Sequence, residues 1–160
     1  YITGPVCIRY PRGEGTGVSL DDPPEPIPVS RPVIRRTGSG CALVALGETV
    51  HTAAEACSLL ESRGIHPTLV DARFAKPLDG DFYRDLFATH THVVTIESNS
   101  IAGGFGSAIL ELATAGGTGP RLLCLGYPDT FIPQGEAAQL RRDLHLDAQG
   151  IAAKVSEFVG

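Results

Sequence analysis

Apolar runs alternate with segments of helical periodicity from residue 41 to the end of the chain. The run over residues 41–46 is apolar at every position, as a parallel strand that is covered on both faces requires. Three further runs, over residues 68–74, 93–97 and 121–125, predict the other strands of the same sheet. The pattern therefore predicts an α/β domain in which strands and helices follow one another in turn.

Five helices are predicted between and after these strands. The first has apolar positions at helical spacing from Val50 to Leu60 and ends at Gly64, a favoured C-cap residue. Asp79 opens the second helix and Asp147 the last, because aspartate is a favoured N-cap residue. The fourth helix is predicted near residues 134–144. The second, third and fifth helices have inward-facing apolar stripes, which comprise Phe82, Tyr83, Leu86, Phe87, Phe105, Ile109, Leu112, Ile151, Val155 and Phe158.

The order of these elements predicts the architecture. Strict alternation of strand and helix requires right-handed crossovers, so the strands form a mostly parallel sheet between two layers of helices. Residues 32–37 are expected to add one edge strand. The predicted fold class is therefore a three-layer α/β domain with a mostly parallel sheet.

The first 40 residues differ from the rest. They hold little periodic apolar pattern, which is typical of a linker, and seven of the twelve prolines: Pro5, Pro11, Pro23, Pro24, Pro26, Pro28 and Pro32. Residues 5–10 predict a short strand without a partner close by in sequence, and a lone strand is not stable. We predict three parts: the end of a preceding domain (1–13), a linker with the edge strand (14–37) and the α/β domain (38–160).

Length and charge exclude several classes of protein. A chain of 160 residues fits one domain. The net charge is −5; residues 1–40 carry five arginines against four acids (+1) and the remainder −6, so neither part offers the basic surface that nucleic acid requires. The longest apolar run, residues 41–46, is far shorter than the roughly 20 residues that span a bilayer. We predict a soluble protein with no nucleic-acid or membrane partner.

The cysteines indicate the compartment. Cys7, Cys41, Cys57 and Cys124 are widely spaced and form no CxxC pair, which is typical of free thiols in a reducing compartment. The predicted location is the cytoplasm, or the plastid stroma in a eukaryote. The sequence contains no methionine. Residue 1 is therefore not expected to be the start of translation, and the chain is interpreted as a fragment.

Candidate functional residues lie where the predicted strands end, because ligands of open α/β sheets bind beyond the carboxyl ends of the strands. Four segments lie there: residues 47–49, 73–76, 97–100 and 126–129. They carry carboxylates, a lysine and helix-entry amides, but no nucleophile paired with a base. Loop chemistry, caps and interface contacts are the favoured explanation of these residues.

One glycine-rich loop is a candidate anion site. Gly103, Gly104, Phe105, Gly106 and Ser107 follow a predicted strand and open a helix, where backbone amides can bind an anion. The loop lacks the lysine of a P-loop and the GxGxxG spacing of a dinucleotide site. Tight packing of the helix against a neighbour is the alternative explanation.

The histidines give weaker signals. His90 and His92 form an HxH pair that could hold a metal if a third ligand converged, but none is apparent, so no metal site is predicted. His51 and Glu55 are expected on the polar side of their helix as a solvated pair.

Arg12 is the basic residue with the best case for binding. It follows Tyr10 and Pro11, whose ring fixes the backbone, so the end of the predicted strand presents one guanidinium to a loop. Arginine suits bidentate binding of phosphate or carboxylate, and a structural salt bridge is the alternative. Arg9 alternates with apolar neighbours and is expected to face solvent or a carboxylate.

A resemblance to a known enzyme family rests on five motifs. They are residues 4–13 (GPVCIRYPRG), 70–79 (VDARFAKPLD), 101–107 (IAGGFGS, with Glu97 before it), 125–135 (LGYPDTFIPQG) and 146–151 (LDAQGI). In combination and in this order, they resemble the C-terminal part of the 1-deoxy-D-xylulose-5-phosphate synthase family. The resemblance covers essentially the whole chain.

The resemblance implies a transketolase-like C-terminal domain preceded by the end of a pyrimidine-binding domain. In that family the enzyme condenses pyruvate with glyceraldehyde 3-phosphate and releases carbon dioxide, with thiamine diphosphate and magnesium as cofactors, and its product feeds isoprenoid synthesis. The family's thiamine glutamate and its diphosphate- and metal-binding residues lie upstream. No catalytic, cofactor or metal residue is therefore expected in this chain, which alone is expected to be inactive.

The resemblance also implies partners. Arg12 matches the family arginine that faces the phosphate of the acceptor substrate. The domain itself is expected to contact the upstream domains of the same enzyme and to help form a homodimer. Two other interpretations stay open. One is the matching domain of a transketolase or of a 2-oxo acid dehydrogenase β subunit, and the other is a stand-alone anion-binding or interaction module.

Overall fold

Ten helices and strands lie in the chain after residue 32 of the computed structural model, which describes residues 3–11, 15, 17, 19, 23–117 and 119–160. In order they are β1 (Val33–Arg36), β2 (Gly40–Ala45), α1 (Thr49–Glu61), β3 (Thr68–Asp71), α2 (Gly80–Thr89), β4 (His90–Ser100), α3 (Phe105–Thr114), β5 (Arg121–Tyr127), α4 (Ala137–Asp143) and α5 (Ala148–Val159).

The sheet has the order β1-β3-β2-β4-β5. Strands β3, β2, β4 and β5 are parallel, and β1 pairs antiparallel with β3. Helices α1 and α5 pack on one face, against alternate residues such as Leu43, and α2 and α3 pack on the other, against residues such as Val44. The three-layer, mostly parallel α/β fold and its edge strand are thus confirmed.

The central strand has the burial that its composition predicts. Residues 41–45 are all at most 1% exposed, because β2 has a strand on either side and a helical layer on either face. Since apolar side chains leave water on both faces, a continuous apolar run is stable here where an alternating one would not be.

The predicted caps are confirmed. Asp79 Oδ1 accepts a hydrogen bond of 3.1 Å from the Phe82 amide, and Asp147 Oδ1 accepts one of 3.1 Å from the Gly150 amide. The regular hydrogen bonds of helix α1 end at Glu61. Gly64 then terminates the helix as predicted: its φ is +79°, its amide donates to the Glu61 carbonyl at 3.0 Å, and the Ile65 amide donates to the Leu60 carbonyl at 3.0 Å.

Several element bounds differ from the prediction. Strand β4 extends to His90 and Ser100 because its polar ends still pair with β2 and β5. Strand β5 extends to Tyr127 for the same reason. Strand β3 is shorter than predicted and ends at Asp71, since Arg73 adopts a left-handed φ of 58° that no strand accommodates.

Helix α4 is also shorter than the predicted 134–144. It covers Ala137–Asp143 and buries none of its residues, so little packing extends it.

The strand predicted over residues 5–10 is not formed. The reason is the lack of a partner: no strand in the described ranges lies alongside this segment, so its backbone has no ladder to join. Val6, Ile8 and Tyr10 are exposed. Among the helices that the structure describes, none is long and apolar enough to cross a membrane.

Candidate functional site

The carboxyl ends of β2 and β4 form the point where a ligand crevice is expected. These two strands are neighbours, but β2 connects through α1 to β3 on one side, whereas β4 connects through α3 to β5 on the other. Because the connections diverge and cover opposite faces, such a switch point usually leaves room for a ligand. The residues that follow β2 and those at the end of β4 therefore decide what can bind.

Glu97 occupies this point. Its side chain is 2% exposed; Oε2 accepts a hydrogen bond of 2.8 Å from the Phe105 amide and Oε1 one of 2.8 Å from the Gly106 amide. These amides belong to the first turn of α3, which has no side-chain cap at Gly104. The carboxylate thus satisfies helix-start donors that would otherwise lack partners and lies at the positive end of the helix dipole.

The glycines around Glu97 have a steric explanation. A Cβ added to Gly104 would lie 2.2 Å from the Ser100 carbonyl oxygen and 2.5 Å from Glu97 Oε2. A Cβ on Gly126 would lie 2.8 Å from the Asn99 carbonyl oxygen. These distances are shorter than real contacts, so only glycine allows the loop and β5 to approach the buried carboxylate.

The glycine-rich loop is therefore filled from within. For residues 103–107 the sequence predicts either an external anion or tight packing of the helix. The structure supports packing, because the Glu97 carboxylate already accepts hydrogen bonds from the free amides. The remaining polar groups also pair internally: Gly103 N donates to Ser107 Oγ (3.1 Å), and Ser107 Oγ donates to the Ile101 carbonyl (2.8 Å).

The segment after β2 lies on the other side of the switch point and is fixed to β4. The Leu46 amide donates to the Ile96 carbonyl at 2.9 Å, and Thr49 Oγ1 lies 3.0 Å from the carbonyl oxygens of both Leu46 and Ile96. Glu48 forms a 3.6 Å ion pair with Arg141. The segment after β2 is thus held against the end of β4 by hydrogen bonds.

Arg9 ties the N-terminal segment to this edge. Its Nη2 donates a 2.7 Å hydrogen bond to the carbonyl oxygen of Ser98, near the end of β4. The sequence predicts solvent or a carboxylate as its surroundings; a backbone carbonyl is the partner instead, because β4 leaves that acceptor unpaired where it diverges from its neighbours. Arg12, the predicted phosphate-binding residue, lies outside the described residues.

An ion network at the end of β3 was not predicted from the sequence. Arg35 binds Asp71 Oδ2 through Nη2 (2.8 Å) and Nε (3.2 Å), while the Arg73 amide donates to Asp71 Oδ1 at 3.2 Å. The antiparallel pairing of β1 brings Arg35 to Asp71. The predicted edge strand was the only available signal for this contact.

Tyr83 lies under this edge and is 1% exposed. Burial, reinforced by the negative charges of Asp79 and Asp71, raises the pKa of its hydroxyl above the ordinary value. The hydroxyl has no hydrogen-bond partner among the residues described. Tyr83 therefore stays neutral and acts through its ring, which contacts Phe82 and Phe87.

The two histidines of the HxH pair have different hydrogen-bond partners and share none. His90 Nδ1 contacts the Leu86 carbonyl (3.1 Å), which can only accept, so the ring proton is assigned to Nδ1 and Nε2 accepts from Thr68 Oγ1 (2.8 Å). His92 instead lies edge-on to Phe158, with its Nε2 at 3.3 Å from Arg121 Nη1. No group of three ligands able to hold a metal exists within the described ranges.

Other predicted residues have simple surroundings. His51 and Glu55 are both exposed on α1. Cys41 and Cys57 are buried free thiols, Cys124 is partly buried, and Cys7 is exposed. Burial, and then the nearby Cys57, raises the pKa of Cys41 to about 12, while burial raises that of Cys57 to about 11. Neither buried thiol is a nucleophile at neutral pH.

The chain is similar in sequence to one family model and to several known enzymes. The family model for the C-terminal domain of transketolase matches residues 31–151. A 1-deoxy-D-xylulose-5-phosphate synthase 1 of Geobacter metallireducens is 46% identical over 157 residues, which are 98% of this chain and 25% of that protein. The synthase of Chlorobium luteolum is 46% identical over 158 residues, 99% of this chain and 25% of that protein.

A solved structure also resembles the chain. A split-gene transketolase, described as an inactive β4 tetramer, matches with a TM-score of 0.73 and 30% identity, over 82% of this chain and 43% of that one. The chain spans about a quarter of the length of the relatives it matches in sequence.

Proposed function

The chain belongs to the transketolase C-terminal domain family, and from this premise we propose that it is the C-terminal portion of a 1-deoxy-D-xylulose-5-phosphate synthase. The proposed reaction condenses pyruvate with glyceraldehyde 3-phosphate, releases carbon dioxide and yields 1-deoxy-D-xylulose 5-phosphate. The observation that carries the proposal is 46% identity to such synthases along nearly the whole chain.

This similarity favours the synthase over the related enzymes. Identity to the synthases is 41–46%, whereas the split-gene transketolase reaches 30%. The stand-alone anion-binding module loses its main support, because Glu97 already binds the amides on which it depended.

The described residues do not fit a thiamine diphosphate or magnesium site. They contain no group of three ligands that could hold a metal, and the helix start best suited to a diphosphate is filled by a buried carboxylate. We propose that both cofactors bind to other parts of a longer polypeptide, and that residues 1–160 alone do not turn over substrate.

The chain's own contribution is then structural and positional. We propose that residues 38–160 stabilise a homodimer and contact the upstream domains, and that residues 1–13 belong to the preceding domain.

Arg12 is proposed to bind the phosphate of glyceraldehyde 3-phosphate, three residues after the point where Arg9 fixes the segment to β4. A remote phosphate contact uses binding energy to orient the aldehyde for attack. We propose the cytoplasm, or the plastid stroma, as the location.

An assay of the intact protein tests this function. With both cofactors, pyruvate and glyceraldehyde 3-phosphate should give 1-deoxy-D-xylulose 5-phosphate and one carbon dioxide per product. Xylulose 5-phosphate with ribose 5-phosphate, the ketol-transfer pair, should give no turnover. Turnover of the ketol-transfer pair alone would assign the chain to a transketolase, and synthase activity of residues 1–160 alone would contradict the proposed division of labour.

A further inference from the structure

Residues 3–11 precede the α/β domain and do not pack into it. They belong to no helix or strand, and every one of them is exposed. The apolar side chains of Val6, Ile8 and Tyr10 are each at least 60% exposed. Burial of apolar surface therefore does not decide where this segment lies relative to the sheet.

One hydrogen bond joins the segment to the α/β domain. Arg9 Nη2 donates to the Ser98 carbonyl oxygen at 2.7 Å, across 89 positions of the sequence. Among the residues that the structure describes, residues 3–11 form no other hydrogen bond and no ion pair. The position of the segment on the domain therefore depends on Arg9.

The acceptor of this bond belongs to the sheet. Ser98 lies in β4, two residues after Ile96, where the pairing with β2 ends. Two residues after Ser98, Ser100 pairs with Tyr127 of β5. The Ile101 amide then donates to the Tyr127 carbonyl at 3.0 Å. Because neighbouring strands hold the backbone on both sides of Ser98, its carbonyl is a fixed point at the carboxyl end of β4.

The link from Arg9 to Arg12 is short and stiff. Arg12 follows Arg9 by three positions, and three residues span at most about 11 Å. Tyr10 and Pro11 lie between them. The proline ring fixes its own φ and restricts the residue before it. A contact that fixes Arg9 therefore also restricts the positions that the Arg12 backbone can reach.

We propose that Arg9 is a positioning residue for the acceptor substrate: its bond to Ser98 holds the chain so that Arg12 binds the phosphate of glyceraldehyde 3-phosphate. The inference rests on the function proposed above, in which Arg12 binds that phosphate. It adds that the α/β domain takes part in substrate binding through the end of β4. A side chain orients a substrate only when its own position is fixed, since a misplacement of about 1 Å can lower the rate by about a hundredfold.

Steady-state kinetics of the intact protein tests the inference. Arg9→Ala should raise the KM for glyceraldehyde 3-phosphate by about tenfold and leave that for pyruvate unchanged, because only the former carries a phosphate. Arg9→Lys should recover most of the loss, since an ammonium group can still donate to the Ser98 carbonyl. Arg84→Ala is the matched control: it removes an arginine of α2 whose partner is Asp81, and it should change neither KM.

A double variant separates positioning from direct contact with the phosphate. In a protein that already carries Arg12→Ala, Arg9→Ala should change the KM for glyceraldehyde 3-phosphate by less than about twofold, because the residue to be positioned is absent. A further rise of about tenfold would show that Arg9 acts without Arg12, and would overturn the inference. An unchanged KM for Arg9→Ala alone would also overturn it.

Urea denaturation of the same proteins tests for a purely structural role. The Arg9 side chain is exposed and bonded to a single carbonyl, so Arg9→Ala should unfold at the urea concentration of the parent. A loss of stability accompanied by equal changes in both KM values would make Arg9 a structural residue and overturn the inference.

Calorimetric titration distinguishes failure of this inference from failure of the proposed function. Glyceraldehyde 3-phosphate is titrated into the cofactor-loaded intact protein without pyruvate, so that binding is measured without turnover. Weaker binding by Arg9→Ala in a protein that shows no synthase turnover would keep the positioning role and remove the proposed reaction. Synthase turnover with equal binding by the parent and Arg9→Ala would remove the positioning role alone.

Discussion

Glu97 shows how one residue changes the interpretation of the whole edge. By sequence it belongs to the segments where ligands of α/β sheets bind, next to a loop of helix-entry amides. In the structure the same carboxylate accepts from two of those amides, at 2.8 Å each, and is 2% exposed. A buried carboxylate is stable only when it is hydrogen-bonded in this way, so its role is to start α3.

The proposed role of Arg12 in phosphate binding can be tested in the intact protein. Arg12→Ala should raise the KM for glyceraldehyde 3-phosphate far more than that for pyruvate, because only the former carries a phosphate. Loss of one charge-assisted contact corresponds to about 1.5–3 kcal/mol. Steady-state kinetics with each substrate varied in turn measures the difference. Arg12→Lys, which keeps the charge but loses the bidentate geometry, should lie between. Equal changes for both substrates would make Arg12 a structural residue.

The two buried thiols predict a loss of stability at alkaline pH. Folding raises the pKa of Cys41 from 9.0 to about 12 and that of Cys57 from 9.0 to about 11. The folded protein thus keeps protons that the unfolded chain releases above pH 9, so the free energy of unfolding falls as the pH rises. Each thiol contributes a slope of up to about 1.4 kcal/mol per pH unit.

Urea denaturation between pH 8 and about 9.5, where most tyrosines of the unfolded chain are still protonated, measures this slope. The double variant Cys41→Ala with Cys57→Ala should show a smaller decline than the parent protein. Cys7→Ala, which changes an exposed thiol, should leave the decline unchanged. If the double variant declined as steeply as the parent, the buried thiols would not be its cause.

At the scale of elements, the sequence predicts what local pattern determines. The fully apolar β2, the N-caps at Asp79 and Asp147 and the five helices follow from periodicity and capping chemistry, and all are confirmed. Bounds set by distant partners could not be predicted. Strand β4 continues to His90 and Ser100 because β2 and β5 lie beside it, which no local pattern indicates.

Gly106 allows α3 to approach the sheet closely, because it has no side chain. A Cβ there would lie 2.6 Å from Thr95 Oγ1 and 2.8 Å from Cys124 Sγ, both on buried or half-buried strands. Gly106→Ala should therefore lower the free energy of unfolding by about 1–3 kcal/mol, the usual effect of overpacking a core. Denaturant titration measures it. Gly116→Ala is the matched control, since a Cβ at Gly116 meets nothing within 4 Å. Equal stability of the two variants would show that α3 can move away.

At the scale of the whole molecule, the contacts that define the edge join distant parts of the sequence. Arg35 binds Asp71, 36 positions away, and Arg9 binds Ser98, 89 positions away. No short stretch of the sequence indicates either contact, because each depends on which strands become neighbours in the sheet. The resemblance indicates which motifs matter; in the structure, the motif around Glu97 packs α3 against the sheet.

At the same scale, the proposed function leaves the carbon chemistry to other parts of the enzyme. Its residues match a quarter of the length of the synthases that it resembles. At the switch point of its sheet, where a ligand is usually found, the Glu97 carboxylate already binds the helix-start amides. We therefore propose that the domain contributes support and association, and that the carbon chemistry belongs to the rest of a longer polypeptide.

The most direct test of this account is Glu97→Gln in the intact protein, with steady-state kinetics and urea denaturation measured on the same preparation. One amide of α3 would then face an amide group instead of an acceptor, so the free energy of unfolding should fall by about 1–3 kcal/mol. The kcat and both KM values of the folded variant should stay those of the parent, as they should for the exposed control Glu111→Gln. A large loss of kcat with unchanged stability would contradict the account and place Glu97 in the chemistry.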